Sequence, residues 1–200
     1  MTEDVRAFWD AEAERFDEEP DHGLRDPEVR AAWARLLHQH LPEPPADVLD
    51  VGCGTGTLTL LLAESGHRVH GVDLAPNMVA AALAKVAAAG VIATAEVGDA
   101  ADPPGRPGAY DVVLTRHVLW ALPDPSAALA RWARLLRPGG RMLLVEGWWW
   151  TGGGLTAEQT EQLVRPYASD VRTVPLTDPA LWGAPVEDER YVCVARTLVE

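Results

Sequence analysis

Residues 48–56, Val-Leu-Asp-Val-Gly-Cys-Gly-Thr-Gly, place three closely spaced glycines directly after an apolar run. Glycine has no side chain, so a backbone of this composition can approach a ligand closely. Asp50 puts a carboxylate beside this glycine-rich turn, and Asp73 closes the next apolar run. A backbone cradle with acids at its rim suits a ligand that carries positive charge and hydroxyl groups, rather than a bare phosphate.

Two histidines fall where an acid–base group would be useful. His117 directly follows a predicted strand, and His22 lies in a loop between an acid and a glycine. Imidazole titrates near neutral pH, so both are candidate catalytic bases for an acceptor that must lose a proton. A structural hydrogen bond at a strand end is an equally good interpretation of His117, and an ordinary loop residue is the alternative for His22.

The remaining histidines do not predict a metal site. His67 and His70 stand three apart at a strand entry, and His38 and His40 stand two apart on a predicted helix, so each pair diverges. No set of residues has the spacing of a zinc site. We therefore expect no metal, although scattered carboxylates leave Mg²⁺ open.

The chain contains eight tryptophans. Four of them follow predicted strands, Trp120 the fourth and Trp148, Trp149 and Trp150 the fifth, and Trp120, Trp148 and Trp149 are the candidate substrate contacts. Indoles at that edge would form an apolar wall for a substrate and could hold a cationic amine by cation–π attraction. Packing of residues 148–150 under a C-terminal helix is the alternative. A further three fit helical apolar stripes and are expected in the core: Trp9, Trp33 and Trp132.

Length and charge limit the classes of partner. Two hundred residues with a net charge of −13 predict one domain that does not bind nucleic acid, since phosphate contacts need clustered basic residues. We expect no membrane association, because no apolar run reaches the length of a span and residues 1–4 lack the features of a leader. A cytoplasmic location and a small-molecule substrate are expected, and Cys53 and Cys193 are interpreted as free thiols.

The elements that must position these residues alternate between strands and helices from Asp47 onward. Alternation of this kind predicts a parallel sheet with helices on both faces. Five apolar runs predict its first strands, at 47–51, 68–72, 91–97, 110–115 and 141–146. Helices are predicted between them, at 57–65, 76–89 and 125–136.

Both ends of the chain extend this pattern. Two amphipathic helices precede the first strand, and the first of them is predicted to end at Phe16. A helix with capping-box spacing at Thr156 and Gln159 follows the fifth strand. Two β-type runs, 171–176 and 190–198, predict an antiparallel addition at the sheet edge. The expected fold is a Rossmann-like, doubly wound, mostly parallel seven-stranded sheet. Within one domain, residues 1–42 would be an N-terminal helical lid, 43–146 the cofactor-binding core and 147–200 the substrate-side part.

The order of motifs resembles that of a class I S-adenosylmethionine-dependent methyltransferase. Four segments carry the resemblance: 48–56, Val-Asp-Leu at 72–74, Val-Gly-Asp-Ala at 97–100, and Leu-Leu-Arg-Pro-Gly-Gly at 135–140. Each is weak alone, but the ordered set is specific. The alternative, a nicotinamide or flavin protein, uses G-x-G-x-x-G/A, and counting from Gly52 that pattern requires Gly or Ala where this chain has Thr57.

The resemblance implies a role for each part of the cofactor, S-adenosylmethionine. Asp73 would accept hydrogen bonds from the ribose hydroxyls. Asp99 and the Ala100 backbone would contact the adenine, and Leu74 and Met78 would pack on its faces, with plain helix core as the alternative for Met78.

Other residues would meet the methionine part of the cofactor. It would lie against three turn residues, Gly52, Cys53 and Gly54. Asp50 would meet the ammonium group, and Thr115 or Arg116 could add a backbone carbonyl. Phe16 would cover the cofactor or pack in the core.

The implied reaction is methyl transfer to a small apolar or aromatic acceptor by in-line displacement, which leaves S-adenosylhomocysteine as product. The sulfonium is already activated, so the protein mainly aligns the acceptor and excludes water. Transfer to DNA bases is disfavoured, because those enzymes carry an Asn/Asp-Pro-Pro-aromatic motif where residues 115–118 read Thr-Arg-His-Val. A peptide or protein methyltransferase and a non-catalytic binder of the cofactor are the alternatives.

Overall fold

The computed structural model describes residues 3–197. Its strands are β1 (Asp47–Val51), β2 (Arg68–Asp73), β3 (Thr94–Val97), β4 (Tyr110–Arg116), β5 (Leu136–Trp148), β6 (Ala168–Pro175) and β7 (Glu189–Thr197). They form one sheet in the order β3-β2-β1-β4-β5-β7-β6. Neighbouring strands from β3 to β5 are parallel, and β7 runs antiparallel between β5 and the outermost strand β6. The predicted fold class, including its antiparallel C-terminal edge, is confirmed.

Helices precede the sheet and connect its strands. They are α1 (Glu3–Glu12), α2 (Pro20–Gly23), α3 (Pro27–His40), α4 (Thr57–Glu64), α5 (Pro76–Ala89), α6 (Pro125–Leu135) and α7 (Ala157–Val164). Asp26 caps α3 and Asp124 caps α6, each with proline at the helix start, and Thr156 with Gln159 forms the predicted capping box of α7. In the described range, no helix has the length and apolar character needed to cross a bilayer.

The core lies on both faces of the sheet. On one face Trp33 and Leu37 of α3 pack with residues of α4, β1 and β4. On the other face Leu129 and Trp132 of α6 pack with the opposite side chains of β1, β4 and β5. Trp33 and Trp132 are fully buried, as their helical stripes predicted. Because both faces are covered, the carboxyl ends of the parallel strands form the exposed edge at which ligands can bind.

Several element boundaries differ from the sequence prediction. β5 begins at Leu136, directly after α6, because Tyr110 pairs with Leu136 before the register shifts to Val112 with Arg141. Gly139 has a φ of 73°, which allows this irregular start. β3 begins only at Thr94, where it first meets β2 at His70. Residues 1, 2 and 198, which fall in the predicted lid and last strand, lie outside the described range.

Candidate functional site

A cavity of about 380 Å³ opens at the carboxyl ends of the central strands, beneath the N-terminal segment (residues 3–24). Most of the predicted site residues line it: Phe16, His22, Gly52, Cys53, Gly54, Asp73, Leu74, Met78, Ala100, Arg116, His117, Trp120 and Trp149. The structure therefore gathers residues from five strand ends and from the N-terminal segment around one space.

The glycine-rich turn forms the floor of this cavity. Gly52 and Cys53 donate their backbone N–H groups to Val72 O at 2.7 and 3.0 Å, so the turn is fixed to the end of β2. Gly52 has a φ of 69°, and a Cβ atom there would lie 2.4 Å from Val118 Cγ2. Only glycine fits this position without displacing a neighbour.

Asp73 lies at the tip of β2 and faces the cavity. Its Oδ2 accepts the N–H of Gly54 at 2.8 Å, and its Oδ1 accepts the N–H of Ala75 at 2.9 Å. Burial raises the pKa of this carboxyl, while the backbone donors oppose the shift. Each oxygen keeps a second lone pair, so the carboxylate can accept two more hydrogen bonds from a ligand.

Two histidines meet at one end of the cavity. The ring of His117 packs edge-on against Trp149 at 5.2 Å and stacks on Trp182 at 6.0 Å. The ring of His22 stacks on Phe16, with centroids 4.3 Å apart. Burial lowers the pKa of His22, and it lowers that of His117 well below the usual range, with the charge of Arg116 adding to the effect on His117.

The backbone of His117 is unusual as well. Its φ is 60°, in the left-handed region that residues other than glycine rarely adopt. Its Nε2 is buried and has no hydrogen-bond partner among residues 3–197. Strained backbone and an unpaired buried nitrogen concentrate at functional sites, where the surrounding structure holds them in place.

Arg116 connects β4 to the N-terminal segment. Its guanidinium is buried, donates to the backbone carbonyl of Asp21 and lies 5.0 Å above the Trp33 ring. These contacts hold α2, which carries His22, against the sheet, where the sequence predicted a loop. The predicted role of a Thr115 or Arg116 backbone carbonyl toward the cofactor stays a prediction.

A second set of polar contacts holds the N-terminal segment over the turn. Lys85 Nζ lies 2.8 Å from Asp17 Oδ2 and donates to Thr57 Oγ1 at 2.7 Å, and Thr55 donates its hydroxyl to Asp17. Asn77, in the first turn of α5, donates its backbone N–H to Asp10 Oδ1 at 2.7 Å. The segment is therefore fixed to the turn and to α5 by side chains from both.

Residues 49–144 match the family described as a methyltransferase domain. This match supports the predicted class, the class I S-adenosylmethionine-dependent methyltransferases. The predicted family is confirmed.

Two curated relatives of this methyltransferase are O-methyltransferases. It is 43% identical over 117 residues to the nocamycin O-methyltransferase of Saccharothrix syringae, and the aligned region makes up 56% of this chain and 42% of that protein. It is 35% identical over 139 residues to the ubiquinone biosynthesis O-methyltransferase of Xanthomonas axonopodis pv. citri, and here the aligned region makes up 68% of this chain and 54% of that protein. The chain thus spans about half the length of the curated relatives it matches.

The solved structures agree in fold. A methyltransferase of Methanosarcina mazei superposes with a TM-score of 0.67 and 21% identity, over 82% of this chain and 98% of that one. At this identity the likeness shows the fold alone.

Three predicted site residues of the methyltransferase lie outside the cavity lining described here. Asp50 is buried under the turn, where Thr59 donates to it at 2.6 Å and burial raises its pKa to about 6. Asp99 accepts the N–H of Ala101 at 2.8 Å, so it shapes the loop that presents Ala100. Trp148 turns away into a separate groove of about 630 Å³, formed by residues 148–150, 152 and 185–190. Trp149 borders both spaces.

Sequence reasoning also missed parts of this site. Trp9, predicted as core, is 39% exposed and lines the cavity, since α1 packs over the site and not into the main core. Glu146 is fully buried at the end of β5, and its Oε1 accepts the N–H groups of Val118 and Leu119 at 3.1 and 2.8 Å. Burial raises the pKa of Glu146 to about 8. This carboxyl holds the loop that carries His117, and its only sequence signal is an acid inside an apolar strand.

The predicted end of the first helix also differs. The sequence extends that helix to Phe16, whereas α1 ends at Glu12 and Phe16 begins a separate short 3-10 turn. This break turns the Phe16 ring toward the glycine-rich turn, 3.1 Å from where a Gly54 Cβ would lie. Cys53 and Cys193 are free, buried thiols, as expected.

Proposed function

We propose that this methyltransferase binds S-adenosylmethionine in the cavity and transfers its methyl group to a small apolar or aromatic acceptor. The position of Asp73 carries the proposal. Its carboxylate is fixed by two backbone N–H groups beside the glycine-rich turn and retains lone pairs toward the cavity. That arrangement suits the two vicinal hydroxyls of a ribose.

The rest of the lining fits the other parts of the cofactor. Leu74, Met78 and Ala100 form an apolar surface beyond Asp73 that suits the adenine ring. Gly52, Cys53 and Gly54 line the cavity beside Asp73, and this stretch of backbone suits the methionine part. Asp50, buried beneath, supports this end of the site through its negative field rather than by direct contact.

The acceptor end is aromatic. Trp120 and Trp149 line it, with ring centroids 5.2 Å apart and with Trp149 against His117, so a flat apolar acceptor gains most from burial there. The N-terminal segment covers the same end, which favours a small molecule over a protein surface. We assign the N-terminal segment, residues 3–24, as the lid, because α3 packs in the core and, contrary to the sequence prediction, is not part of a cover. Residues 43–146 are the cofactor-binding core and 147–197 the acceptor side.

Methyl transfer in this site is an in-line displacement. The acceptor oxygen or nitrogen forms a bond to the methyl carbon as the carbon–sulfur bond breaks, and S-adenosylhomocysteine leaves with the electron pair. His117 and His22, both in the lining, are the groups that can accept the acceptor's proton. The names of the two curated relatives favour a hydroxyl acceptor.

Calorimetric titration with S-adenosylmethionine and S-adenosylhomocysteine tests the cofactor, followed by a panel of phenols and aromatic amines with S-adenosylhomocysteine release as readout. We expect micromolar binding of both nucleosides and turnover of at least one aromatic acceptor. Failure to bind either nucleoside would overturn the proposal. Binding without turnover of any small acceptor, but with turnover of peptides, would overturn the acceptor class only.

A further inference from the structure

We infer that Asp21, His22 and His117 form a binding site for one divalent transition-metal ion at the acceptor end of the cavity. One ligand atom from each residue lies within 4.8 Å of the other two. Two imidazoles and one carboxylate are a ligand set that such ions use, with further positions left for an exogenous oxygen. Among residues 3–197, these three side chains form the group of potential metal ligands whose ligand atoms lie close together.

The distances require only a small contraction. Ligand atoms bonded at about 2.0–2.2 Å to one ion are separated by about 3–3.5 Å. His22 Nε2 and Asp21 Oδ2 already stand 3.9 Å apart. Both residues belong to α2, a single turn of helix, so their side chains can close on an ion without disturbing the sheet.

His117 is the anchor of the site. Its imidazole is held between Trp149 and Trp182, and its buried Nε2 has no partner among residues 3–197. A buried nitrogen without a partner carries a desolvation penalty that a metal bond would remove. The Phe16 ring, stacked on His22 at 4.3 Å, orients the second imidazole in the same way.

The nearby charge of Arg116 opposes a cation, but its environment offsets that charge. Asp17, Asp21 and Asp50 all act on the guanidinium, which donates its hydrogen bond to the backbone carbonyl of Asp21. The Asp21 carboxylate therefore remains directed to the histidines, and its side chain is only 14% exposed.

This inference goes beyond the proposed function and does not depend on it, because metal binding is measured without methyl transfer. When bound, the ion supplies a Lewis acid that lowers the pKa of an acceptor hydroxyl. His22 and His117 then orient the acceptor through the ion and no longer take its proton. Sequence spacing missed the site, because its two histidines come from α2 and from the end of β4, far apart in the chain.

The test is titration of chelator-treated protein with Zn²⁺ by calorimetry and with Co²⁺ by visible absorption. We expect one ion per chain, and at least a tenfold weaker affinity in each of His22→Gln, Asp21→Asn and His117→Asn. Asparagine is chosen at 117 because it tolerates the left-handed backbone. His70→Gln is the matched control, since His70 is a partly buried histidine that contacts Thr94 and Glu96 at 2.8 and 2.9 Å.

Two results would overturn the inference. One is failure of the wild-type protein to bind one metal ion per chain. The other is a metal affinity equal to that of the wild type in both His22→Gln and His117→Asn. Titration of every variant with S-adenosylhomocysteine, together with circular dichroism, separates loss of metal from loss of fold. Because nucleoside binding is read independently, failure of the metal site and failure of the proposed cofactor are distinguishable.

Discussion

Replacement of Asp73 tests the cofactor assignment most directly. Its oxygens each accept one backbone N–H, at 2.8 and 2.9 Å, and each keeps a lone pair for a ribose hydroxyl. A hydrogen bond to a charged group contributes about 1.5–3 kcal/mol, and about 1.4 kcal/mol corresponds to a tenfold change in Kd. Asp73→Asn keeps one acceptor oxygen, so it should raise the Kd of S-adenosylhomocysteine about 10–100-fold. Asp73→Ala loses both, and the increase should exceed about 100-fold.

The assay is isothermal titration at constant pH, with thermal unfolding of each variant measured in parallel. Asp124→Asn is the matched control, because Asp124 also accepts a backbone N–H, from Ala127 at 2.9 Å, but caps α6 away from the cavity lining. Asparagine caps a helix as well as aspartate does, so the control should bind like wild type. A folded Asp73→Ala protein that binds within about threefold of wild type would refute the ribose role.

Three further predictions concern the parts around the site. Lys85→Met removes the ion pair between Lys85 and Asp17, whose atoms lie 2.8 Å apart and which is worth about 1 kcal/mol. Dissociation of S-adenosylhomocysteine, measured by stopped flow, should therefore be about fivefold faster. An unchanged rate would exclude a role of this ion pair in retaining the nucleoside. Gly56→Ala should lower the free energy of unfolding in urea about 1–3 kcal/mol more than Gly90→Ala does. Both glycines have positive φ, 76° and 69°, but only at Gly56 would the new Cβ lie 2.6 Å from α5. Equal losses of unfolding free energy in the two variants would contradict that packing. Burial raises the pKa of Glu146 from its ordinary 4.5 to about 8 in the folded protein. Between pH 4.5 and about 8 the folded protein therefore holds a proton on this carboxyl that the unfolded chain has lost. Its contribution to stability is full below pH 4.5 and falls by about 1.4 kcal/mol per pH unit up to about 8. Glu146→Gln should remove this slope from unfolding measurements, and an unchanged slope would show that the carboxyl is ionised when folded.

Much of the fold could be predicted because local signals mark the ends of its elements. α5 was predicted at 76–89 and spans Pro76–Ala89, since proline fixes the first turn and Gly90 adopts a left-handed φ of 69° at the end. β1 has its predicted bounds for a similar reason, because an apolar run ends at a glycine turn. The start of β5 could not be predicted, since its pairing with Tyr110 depends on a register shift that has no local signal.

The site was harder to predict than the sheet. The strand-end residues Gly52, Asp73 and His117 were found because topology alone brings strand ends to one edge. Trp9 was misplaced, because an amphipathic stripe shows which helix face is covered but not what covers it. Glu146 gave no functional signal, since its role depends on the two N–H groups of a loop distant in sequence.

The N-terminal segment has a kinetic consequence. Phe16, which covers the glycine-rich turn, and His22, which meets His117, belong to the same short stretch of chain. Any movement that opens a path for the cofactor therefore also separates His22 from His117 and dismantles the acceptor end. We therefore expect the acceptor to bind productively only after the cofactor is enclosed, and the methylated product to leave before S-adenosylhomocysteine. Steady-state kinetics should accordingly follow a compulsory order, with S-adenosylhomocysteine competitive against S-adenosylmethionine and noncompetitive against the acceptor.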